Sequence, residues 1–257
     1  MPAVAALALS LETAQSLRRA LPPDGPWAFA RCTGLQQLEQ TLQTRLVDAV
    51  VFSPVRTPLQ ELAALRDAFP HVPWIACAPF RPDDGPLLLS CQAARVGLIL
   101  IEGVDNAVAG DLVLRHSAAA ERRRQLAEAP RMLRLTERLQ REVWHYLLER
   151  VDQSVRTEQL AARFGYSREH LSREFGAGGA PNLKRVIDLT RVACAATLLR
   201  NPGYDVSAVA RILSFATPSH LSATARRIAG VPTRGLGALG PRGVLAHFAR
   251  GKTRSRV

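Results

Sequence analysis

The sequence lacks long hydrophobic runs and contains few cysteines. No apolar run approaches the ~20 residues of a membrane-spanning helix, and the apolar start Pro2–Leu9 is short and lacks the basic residues of a signal peptide. The 4 cysteines show no paired metal-binding spacing, and the 6 histidines form no i,i+4 ligand pair. We therefore expect a cytoplasmic protein with reduced thiols, no metal site and no attachment to a membrane.

Motifs for nucleotide binding and for hydrolysis are also missing. The chain has no G-x-G-x-x-G after a predicted strand, no phosphate-binding loop that ends in Gly-Lys-Ser or Gly-Lys-Thr, and no G-x-S-x-G turn. Its dense glycine cluster, Gly176–Gly179, follows a predicted helix and is placed to end it. The sequence therefore predicts no enzymatic activity, no catalytic residue and no cofactor.

Positive charge is concentrated in the second half of the chain. Residues 1–120 contain 9 Lys and Arg against 11 Asp and Glu, whereas residues 121–257 contain 25 against 11. Only Lys184 and Lys252 are lysines, so the charge comes almost wholly from arginine, which binds phosphates and guanine edges. Genomic base composition is an alternative source of arginine, but it does not explain the asymmetry. The asymmetry indicates a polyanionic partner.

The first 115 residues alternate between short apolar strands and helices. We predict five strands, at Val4–Leu9, Trp27–Cys32, Val47–Phe52, Trp74–Ala78 and Leu98–Ile101. The predicted helices are Leu11–Leu21, Leu35–Arg45, Leu59–Phe69, Gly85–Arg95 and a last helix that starts near Asn106. Almost wholly apolar strands are typical of a parallel sheet that helices cover on both faces. The pattern predicts a doubly wound α/β domain with the flavodoxin-like strand order 2-1-3-4-5.

Two of these strands and their flanks resemble the receiver domain of response regulators, namely VDAVVFSP at residues 47–54 and PWIACA at residues 73–78. The resemblance implies a phosphate-accepting aspartate after the third strand, an acidic pair after the first, a hydroxyl after the fourth and a lysine after the fifth. This chain has Ser53, Ser10 with Leu11, Ala78 and Glu102 there. Because a phosphoryl acceptor needs a carboxylate and a divalent cation, we expect a pseudo-receiver that is not phosphorylated. It would act by protein contact, through a small-molecule effector or as a structural element.

Residues 111–151 are predicted to be helical, with an interruption at Pro130. Apolar residues recur at helical spacing in Arg138–Val151, which suits either a dimerisation helix or the first helix of the second domain. We favour the second interpretation for this stretch. A homodimer contact is expected instead on the helix from Asn106 to about Glu128.

Two copies of one helix-turn-helix pattern lie in the basic half, at Leu160–Phe175 and Val209–Ala225. Gly165 suits the tight turn of the first copy, and Ser167 is placed to cap the helix after it. In the second copy, Thr217 and the proline after it favour a helix start, since proline at the first helical position loses no hydrogen bond. Two copies in tandem predict recognition helices that enter successive major grooves of double-stranded DNA.

Helical spacing separates an inward from an outward face on each recognition helix. Leu171 and Phe175 face the core in the first copy, as Leu221, Ala225 and Ile228 do in the second. The residues that face outward, toward base edges, are Arg168, Glu169, Ser172 and Arg173 in the first copy and Ser219, Ser222, Ala223 and Arg226 in the second.

Residues 138–237 resemble the DNA-binding domain of AraC/XylS-family transcriptional regulators, in which a long helix joins two helix-turn-helix units. The resemblance rests on G-Y-S-x-x-H-L-S-R-x-F at residues 165–175, R-x3-A-x2-L-L at residues 191–199 and G-V-P at residues 230–232. It implies base-reading positions at Arg168, Glu169, Ser172 and Arg173 in the first unit and at Ser219, His220, Ser222 and Ala223 in the second.

The second unit departs from the family pattern. The family has an arginine, an aromatic residue, a turn glycine and a closing Tyr-Arg where this chain has Ala223, Ala225, Ser214 and Leu236-Gly237. We therefore hypothesise that the first unit dominates base reading, while the second mostly holds the DNA backbone through Arg226 and Arg227.

Together these features predict a flavodoxin-like pseudo-receiver domain at residues 1–128 and an all-helical AraC-type domain at residues 131–240. A basic tail follows at residues 241–257, either solvated or in contact with phosphates. The predicted function is sequence-specific transcriptional regulation with a receiver-like domain that is not phosphorylated. The alternative is a regulator that works mainly through a protein partner and binds DNA weakly by itself.

Overall fold

The computed structural model describes residues 3–21 and 27–251, and the chain divides into two compact units. Unit 1 contains the residues up to Glu121 together with Asn201–Tyr204, and unit 2 contains Arg122–Arg200 and the residues from Asp205 onward. The division after Glu121 lies earlier than the boundary near residue 130 that the sequence suggested.

Unit 1 is built on a five-stranded parallel sheet with the order β2-β1-β3-β4-β5. The strands are β1 (Ala3–Leu7), β2 (Ala28–Cys32), β3 (Val47–Phe52), β4 (Trp74–Ala78) and β5 (Leu98–Ile101). Every residue of β1, β3 and β4 is buried, as expected of central parallel strands covered on both faces. The predicted flavodoxin-like, doubly wound fold is confirmed.

The helices of unit 1 connect these strands and follow the last one. They are α1 (Leu11–Ala20), α2 (Leu35–Thr44), α3 (Leu59–Ala68), α4 (Gly85–Ala93), α5 (Ala109–Arg115) and α6 (Ala118–Gln125), whose second half is assigned to unit 2. The single helix expected from Asn106 to about Glu128 is divided at Ser117. The Ser117 hydroxyl donates to the carbonyl of Leu114 at 2.6 Å and accepts the N–H of Ala120 at 3.2 Å, so this residue ends one helix and caps the next.

Four residues from the second half of the sequence complete unit 1. Asn201 Oδ1 accepts the backbone N–H of His71 at 2.8 Å, and the N–H of Gly203 donates to the carbonyl of Ala68 at 2.8 Å. A Cβ at Gly203 would lie 2.6 Å from the ring of Phe69, so the close approach of this segment requires glycine.

The described part of unit 2 is helical. Its helices are α7 (Ala129–Met132), α8 (Arg138–Glu149), α9 (Thr157–Phe164), α10 (Arg168–Gly176), α11 (Leu183–Leu198), α12 (Val206–Ile212), α13 (Pro218–Ala229) and α14 (Thr233–Gly251). In α11, 13 of the 16 residues are buried, so this helix is the centre of the unit rather than a surface element. It joins the two helix-turn-helix units, as the family resemblance implied.

Helix α8 packs inside unit 2. Its side chains Val143, Trp144 and Leu147 are buried, and Gln140 Nε2 donates to the carbonyl of Phe175 at 2.9 Å. The stretch therefore packs on the core of the helical domain, the interpretation that the sequence favoured, although the short helix α7 precedes it in unit 2.

The helical part of the chain extends beyond residue 240, where the sequence suggested that a basic tail begins. It continues through residue 251, with a kink at Gly240, where φ is +66° and ψ is 171°. Beyond the kink, Val244, Leu245 and Phe248 are buried, so residues 241–251 are packed and helical rather than a solvated tail. The remaining basic residues of the expected tail, Lys252, Arg254 and Arg256, lie outside the described residues.

Candidate nucleic-acid interface

The turn between α9 and α10 has the geometry of a helix-turn-helix. Gly165 ends α9 with φ +76°, a left-handed conformation that strains residues with a side chain. Ser167 Oγ accepts the backbone N–H of His170 at 3.2 Å and caps α10. Leu171 and Phe175 are 0% exposed on the inner side. The predicted turn, cap and inward face are confirmed.

The outer face of α10 carries the four residues predicted to read bases. Arg168, Glu169, Ser172 and Arg173 are all exposed. Arg168 Nη1 lies 3.3 Å from Glu158 Oε1, and the two side chains are 62% and 58% exposed. Because an exposed ion pair is worth about 0–1 kcal/mol, Glu158 does not prevent Arg168 from contacting DNA.

The turn between α12 and α13 reaches a similar geometry with a serine. Ser214 has φ +54°, and its Oγ donates to the carbonyl of Asp152 at 2.7 Å. Thr217 Oγ1 accepts the backbone N–H of His220 at 3.0 Å, and Pro218 stands in the first turn of α13. Ser214 thus occupies the position of the family's turn glycine, and its hydrogen bond offsets part of the backbone strain.

The outer face of α13 differs from that of α10 at the positions that match Ser172 and Arg173. The predicted contact residues that are exposed are Ser219, His220, Arg226 and Arg227. Ser222 is half-buried, which limits its reach. Ala223 is exposed but presents only a methyl group where the family has an arginine. This helix therefore has less capacity to distinguish bases.

The starts of both recognition helices flank one groove in unit 2, which we call the central groove. Its lining includes Arg168 from the first helix-turn-helix unit, His220 and Arg227 from the second, and Lys184 and Asp188 of α11. The groove has a volume of about 390 Å³. The fold therefore brings together predicted contact residues that lie far apart in the sequence.

A buried carboxylate holds one arginine of the central groove. Asp188 Oδ2 lies 2.7 Å from Arg227 Nη2, and the two side chains are 11% and 55% exposed. Burial raises the pKa of Asp188, and the positive charges of Arg227, Arg191 and Lys184 partly oppose that rise. The ion pair positions Arg227, and its guanidinium keeps further N–H donors that a phosphate oxygen can accept.

Arg191 has a structural role that differs from that of the exposed arginines. It is 6% exposed, its Nη2 donates to the carbonyl of Leu213 at 2.8 Å, and its guanidinium lies 3.8 Å from the centre of the Phe215 ring. Burial lowers the pKa of Arg191. This arginine fastens α11 to the end of α12.

The carboxyl edge of the sheet in unit 1 is occupied by hydrogen bonds between side chains. Ser10 Oγ donates to Glu102 Oε1 at 3.2 Å, and Thr13 Oγ1 donates to the same oxygen. Ser53, which follows β3, is only 6% exposed. The cavity beside Thr13 has a volume of about 10 Å³, at the lower limit for a single water molecule.

The thiol at this edge is unreactive. Burial, with the nearby charges of Glu102 and Asp105, raises the pKa of Cys77 to about 12. A thiol with that pKa is protonated at neutral pH and is a poor nucleophile. Cys32, Cys91 and Cys194 are also buried and form no disulfide, in agreement with the expectation of reduced structural thiols.

Comparison with known families identifies the helical half. Residues 160–235 match a family described as a helix-turn-helix domain, of the AraC type. The match contains both turns, both recognition helices and α11. This chain carries an AraC-type helix-turn-helix domain. The domain implies DNA binding and the regulation of transcription.

Other comparisons add little to this identification. No curated protein matches the chain at a significant level. The crystal structure of full-length FixJ from B. japonicum is similar at 13% sequence identity and a TM-score of 0.38, over 88% of this chain and 96% of that chain. The receiver-like fold of unit 1 follows from its strand order, β2-β1-β3-β4-β5. Among the described residues, no helix combines the length and apolar character needed to cross a membrane.

Two cations of the central groove were not predicted from the sequence. Arg156, which precedes α9, and Lys184, in the first turn of α11, both line the groove of the AraC-type domain and are exposed. Neither lies on a recognition helix, so helical spacing did not select them. The rarity of lysine in this chain was the available signal for Lys184.

Proposed function

We propose that this protein is a sequence-specific, cytoplasmic transcriptional regulator in which α10 reads bases and α13 mainly binds the DNA backbone. The observation that carries the proposal is the central groove, where both recognition helices begin beside one cationic surface. A duplex along this surface can present successive major grooves to the two helices. The excess of arginine in the second half of the chain supplies attraction to phosphates.

Base reading is assigned to α10 because its exposed face carries both donors and acceptors. Arg173 can donate two parallel hydrogen bonds to guanine, Glu169 can accept one from the amino group of cytosine, and Ser172 can do either. Arg168 lies at the start of the helix, the end of a recognition helix that contacts base edges.

Backbone binding is assigned to α13 because its cations are better placed than its base-reading groups. Arg226 and Arg227 lie in the last turn of the helix, and Asp188 fixes the position of Arg227. Guanidinium groups bind phosphate oxygens without regard to sequence. Ala223 and the half-buried Ser222 add little that would distinguish one base pair from another.

Unit 1 is assigned as a regulatory domain that is not phosphorylated. Ser53 stands at the phosphoacceptor position, and the hydrogen bonds among Ser10, Thr13 and Glu102 fill the edge where a receiver holds its cation. One carboxylate that already accepts two hydroxyl groups is a poor substitute for an acidic cluster with a divalent cation. Incubation with acetyl phosphate and Mg²⁺ should leave the protein mass unchanged, and a stable phosphoryl adduct would refute this assignment.

Regulation through a protein partner is the second candidate function, and exposed apolar side chains of unit 1 favour it. Leu11, Val55 and Val104 are 58%, 62% and 73% exposed, and they follow β1, β3 and β5. Because parallel strands end at one edge of the sheet, these side chains lie on the same side of unit 1. The double variant Leu11→Asp/Val104→Asp should then lose regulation of a reporter gene without weaker DNA binding in vitro. Unchanged regulation would remove this candidate.

The main proposal is tested by selecting bound fragments from genomic DNA with the purified full-length protein at two salt concentrations. Recovery of one shared motif, with affinity that falls steeply as salt rises, is the expected result. Recovery of fragments without a shared motif, or of none above background, would refute sequence-specific binding and leave the protein-partner function in its place.

A further inference from the structure

A second cavity in unit 2 lies at the C-terminal end of α13, away from the start of that helix. It has a volume of about 540 Å³, and its lining comes from the end of α13, the start of α11 and the last turns of α14. Four arginines and one histidine contribute to it, and none of its lining residues is acidic. We call it the arginine cavity, and its arginines are Arg185, Arg226, Arg227 and Arg250, with His247 beside them.

The helix end accounts for the arginines of α13 but not for Arg185. Arg226 and Arg227 stand in the last turn of their helix, where positive charge complements the partial negative charge of the helix end. Arg185 follows Lys184 in the first turn of α11, which contains no acidic residue. A cation at the positive end of a helix is unfavourable unless an anion lies close to it, and Asp188 provides that charge for Lys184.

Three of the four arginines are also held in place around the cavity. The guanidinium of Arg185 lies 4.9 Å from the centre of the Phe248 ring, which is 1% exposed and therefore fixed in the core. Arg227 is held by Asp188 at 2.7 Å, and Arg250 Nε donates to a carbonyl of its own helix at 3.3 Å. These contacts keep like charges near one another, an arrangement that a bound anion would stabilise.

One wall of the arginine cavity depends on the stretch of chain that the sequence suggested would be a tail. The kink at Gly240 redirects α14, and burial of Val244, Leu245 and Phe248 then fixes its last turns. His247 and Arg250 reach the cavity from these turns. The extra helix is thus part of a concave cationic site, which distinguishes it from a solvated basic end.

We propose that the arginine cavity binds a phosphate ester group, with Arg185, Arg226 and Arg250 as its principal ligands. Planar guanidinium groups bind phosphate oxygens through paired, charge-assisted hydrogen bonds. The volume falls within the ~300–1,000 Å³ of small-molecule sites, so the group can belong to a free organic phosphate. It can equally be a backbone phosphate of DNA bound to α13, in which case the inference rests on the function proposed above.

The test compares a double variant with a matched control in the full-length protein. Arg185→Gln/Arg250→Gln removes two cations from the cavity, and Arg131→Gln/Arg138→Gln removes two exposed cations from outside both helix-turn-helix units. Circular dichroism checks that each variant is folded. Arg250→Gln alone is used if loss of the Arg185–Phe248 contact unfolds the double variant, because Arg250 is exposed.

A free phosphate is tested with inorganic pyrophosphate, at ionic strength kept constant with sodium chloride. Pyrophosphate well above its dissociation constant should raise the Tm of the wild type and the control by several degrees (on the order of 2–8 °C), with no rise in the cavity variant. This arm needs no DNA, so it remains informative even if the protein proves not to bind DNA.

A DNA phosphate is tested from the salt dependence of affinity for a selected genomic fragment. If the cavity binds the backbone, the slope of log K against log [salt] should be smaller in magnitude for the cavity variant than for the control by about one for each lost phosphate contact. If only the Tm shift differs between the cavity variant and the control, the cavity binds a free organic phosphate. If only the salt slope differs, the cavity binds a phosphate of DNA. If both differ, the cavity can bind a phosphate from either source. If neither quantity differs between the cavity variant and the control, the proposal is overturned.

Discussion

The two helix-turn-helix units share an architecture but build it from different residues. The turn residue is Gly165 in the first, with φ +76°, and Ser214 in the second, with φ +54°. Four residues after the central leucine of each recognition helix, the core contains Phe175 in one and Ala225 in the other, and both are 0% exposed. The comparison teaches that the fold tolerates large changes in the buried residues as long as the local geometry and the packing are satisfied.

The outer faces of the two recognition helices differ in their capacity to contact bases. Helix α10 presents charged and polar side chains along its exposed face, whereas α13 presents Ala223 and a half-buried Ser222 at matching positions. The cations of α13, Arg226 and Arg227, lie in its last turn instead. We infer a division of work, with base recognition in the first unit and phosphate binding in the second.

The largest expected effect is on the free energy of unfolding, and it comes from substitutions in the cores of the two helix-turn-helix units. Phe175→Ala should lower the free energy of unfolding of unit 2 by about 3–5 kcal/mol, because it opens a cavity at a fully buried site. Ala225→Phe should lower it by about 1–3 kcal/mol, because a filled core must expand. Denaturant titration followed by tryptophan fluorescence measures both. A stabilising effect of Ala225→Phe would show that the second core is incompletely packed.

The next effect concerns base reading. Arg173→Ala should cost about 1–3 kcal/mol at one base position of the selected site and little elsewhere, because it removes a bidentate contact. Ala223→Arg should be tolerated or should tighten binding, since it restores the residue type of the family. Competition with single-base variants of the site measures both, and Arg138→Ala is the control for loss of one positive charge. Equal costs at every base position would contradict the role of Arg173.

The third effect concerns binding to the phosphate backbone of DNA. Arg226→Gln and Arg227→Gln should weaken binding to all sequences alike and reduce the salt slope by about one each. Asp188→Asn should resemble Arg227→Gln in part, because Asp188 holds that arginine at 2.7 Å. Fluorescence anisotropy at several salt concentrations measures the slopes. A change in sequence preference rather than in slope would place these arginines at bases.

The smallest effects lie in the turns. Gly165→Ala should lower the free energy of unfolding by about 1–2 kcal/mol, because a side chain strains the left-handed backbone, although no atom lies within 4 Å of the new Cβ. Ser214→Gly should change it by less than about 1 kcal/mol, since relief of strain is opposed by loss of the hydrogen bond to Asp152. Thermal unfolding compares the two, and a larger loss for Ser214→Gly would show that its hydrogen bond dominates.

Local patterns in the sequence predicted the strands of unit 1 well, but they did not predict where some helices break or continue. The bounds of β3, β4 and β5 agree with the prediction, because each is an almost wholly apolar run. The break at Ser117 was missed, since it depends on two hydrogen bonds of one hydroxyl. The helix beyond Gly240 was missed because glycine and proline predict an end, whereas buried Phe248 continues the packing.

The candidate site was predictable where it depends on the face of one helix. Arg168, Glu169, Ser172 and Arg173 follow from helical spacing alone, and their exposure agrees with that analysis. The central groove and the arginine cavity depend on which helices pack together, and no local pattern encodes that arrangement. Their unpredicted residues Arg156, Lys184 and Arg185 lie outside the recognition helices for this reason.

The division of work between the two units is tested most directly by repeating the genomic selection with two matched variants. Glu169→Ala/Arg173→Ala alters the exposed face of α10, and Ser219→Ala/Ser222→Ala alters that of α13. The account predicts that the first variant loses base preference in one half of the recovered motif, while the second recovers the wild-type motif. Equal loss of base preference in both variants would contradict it.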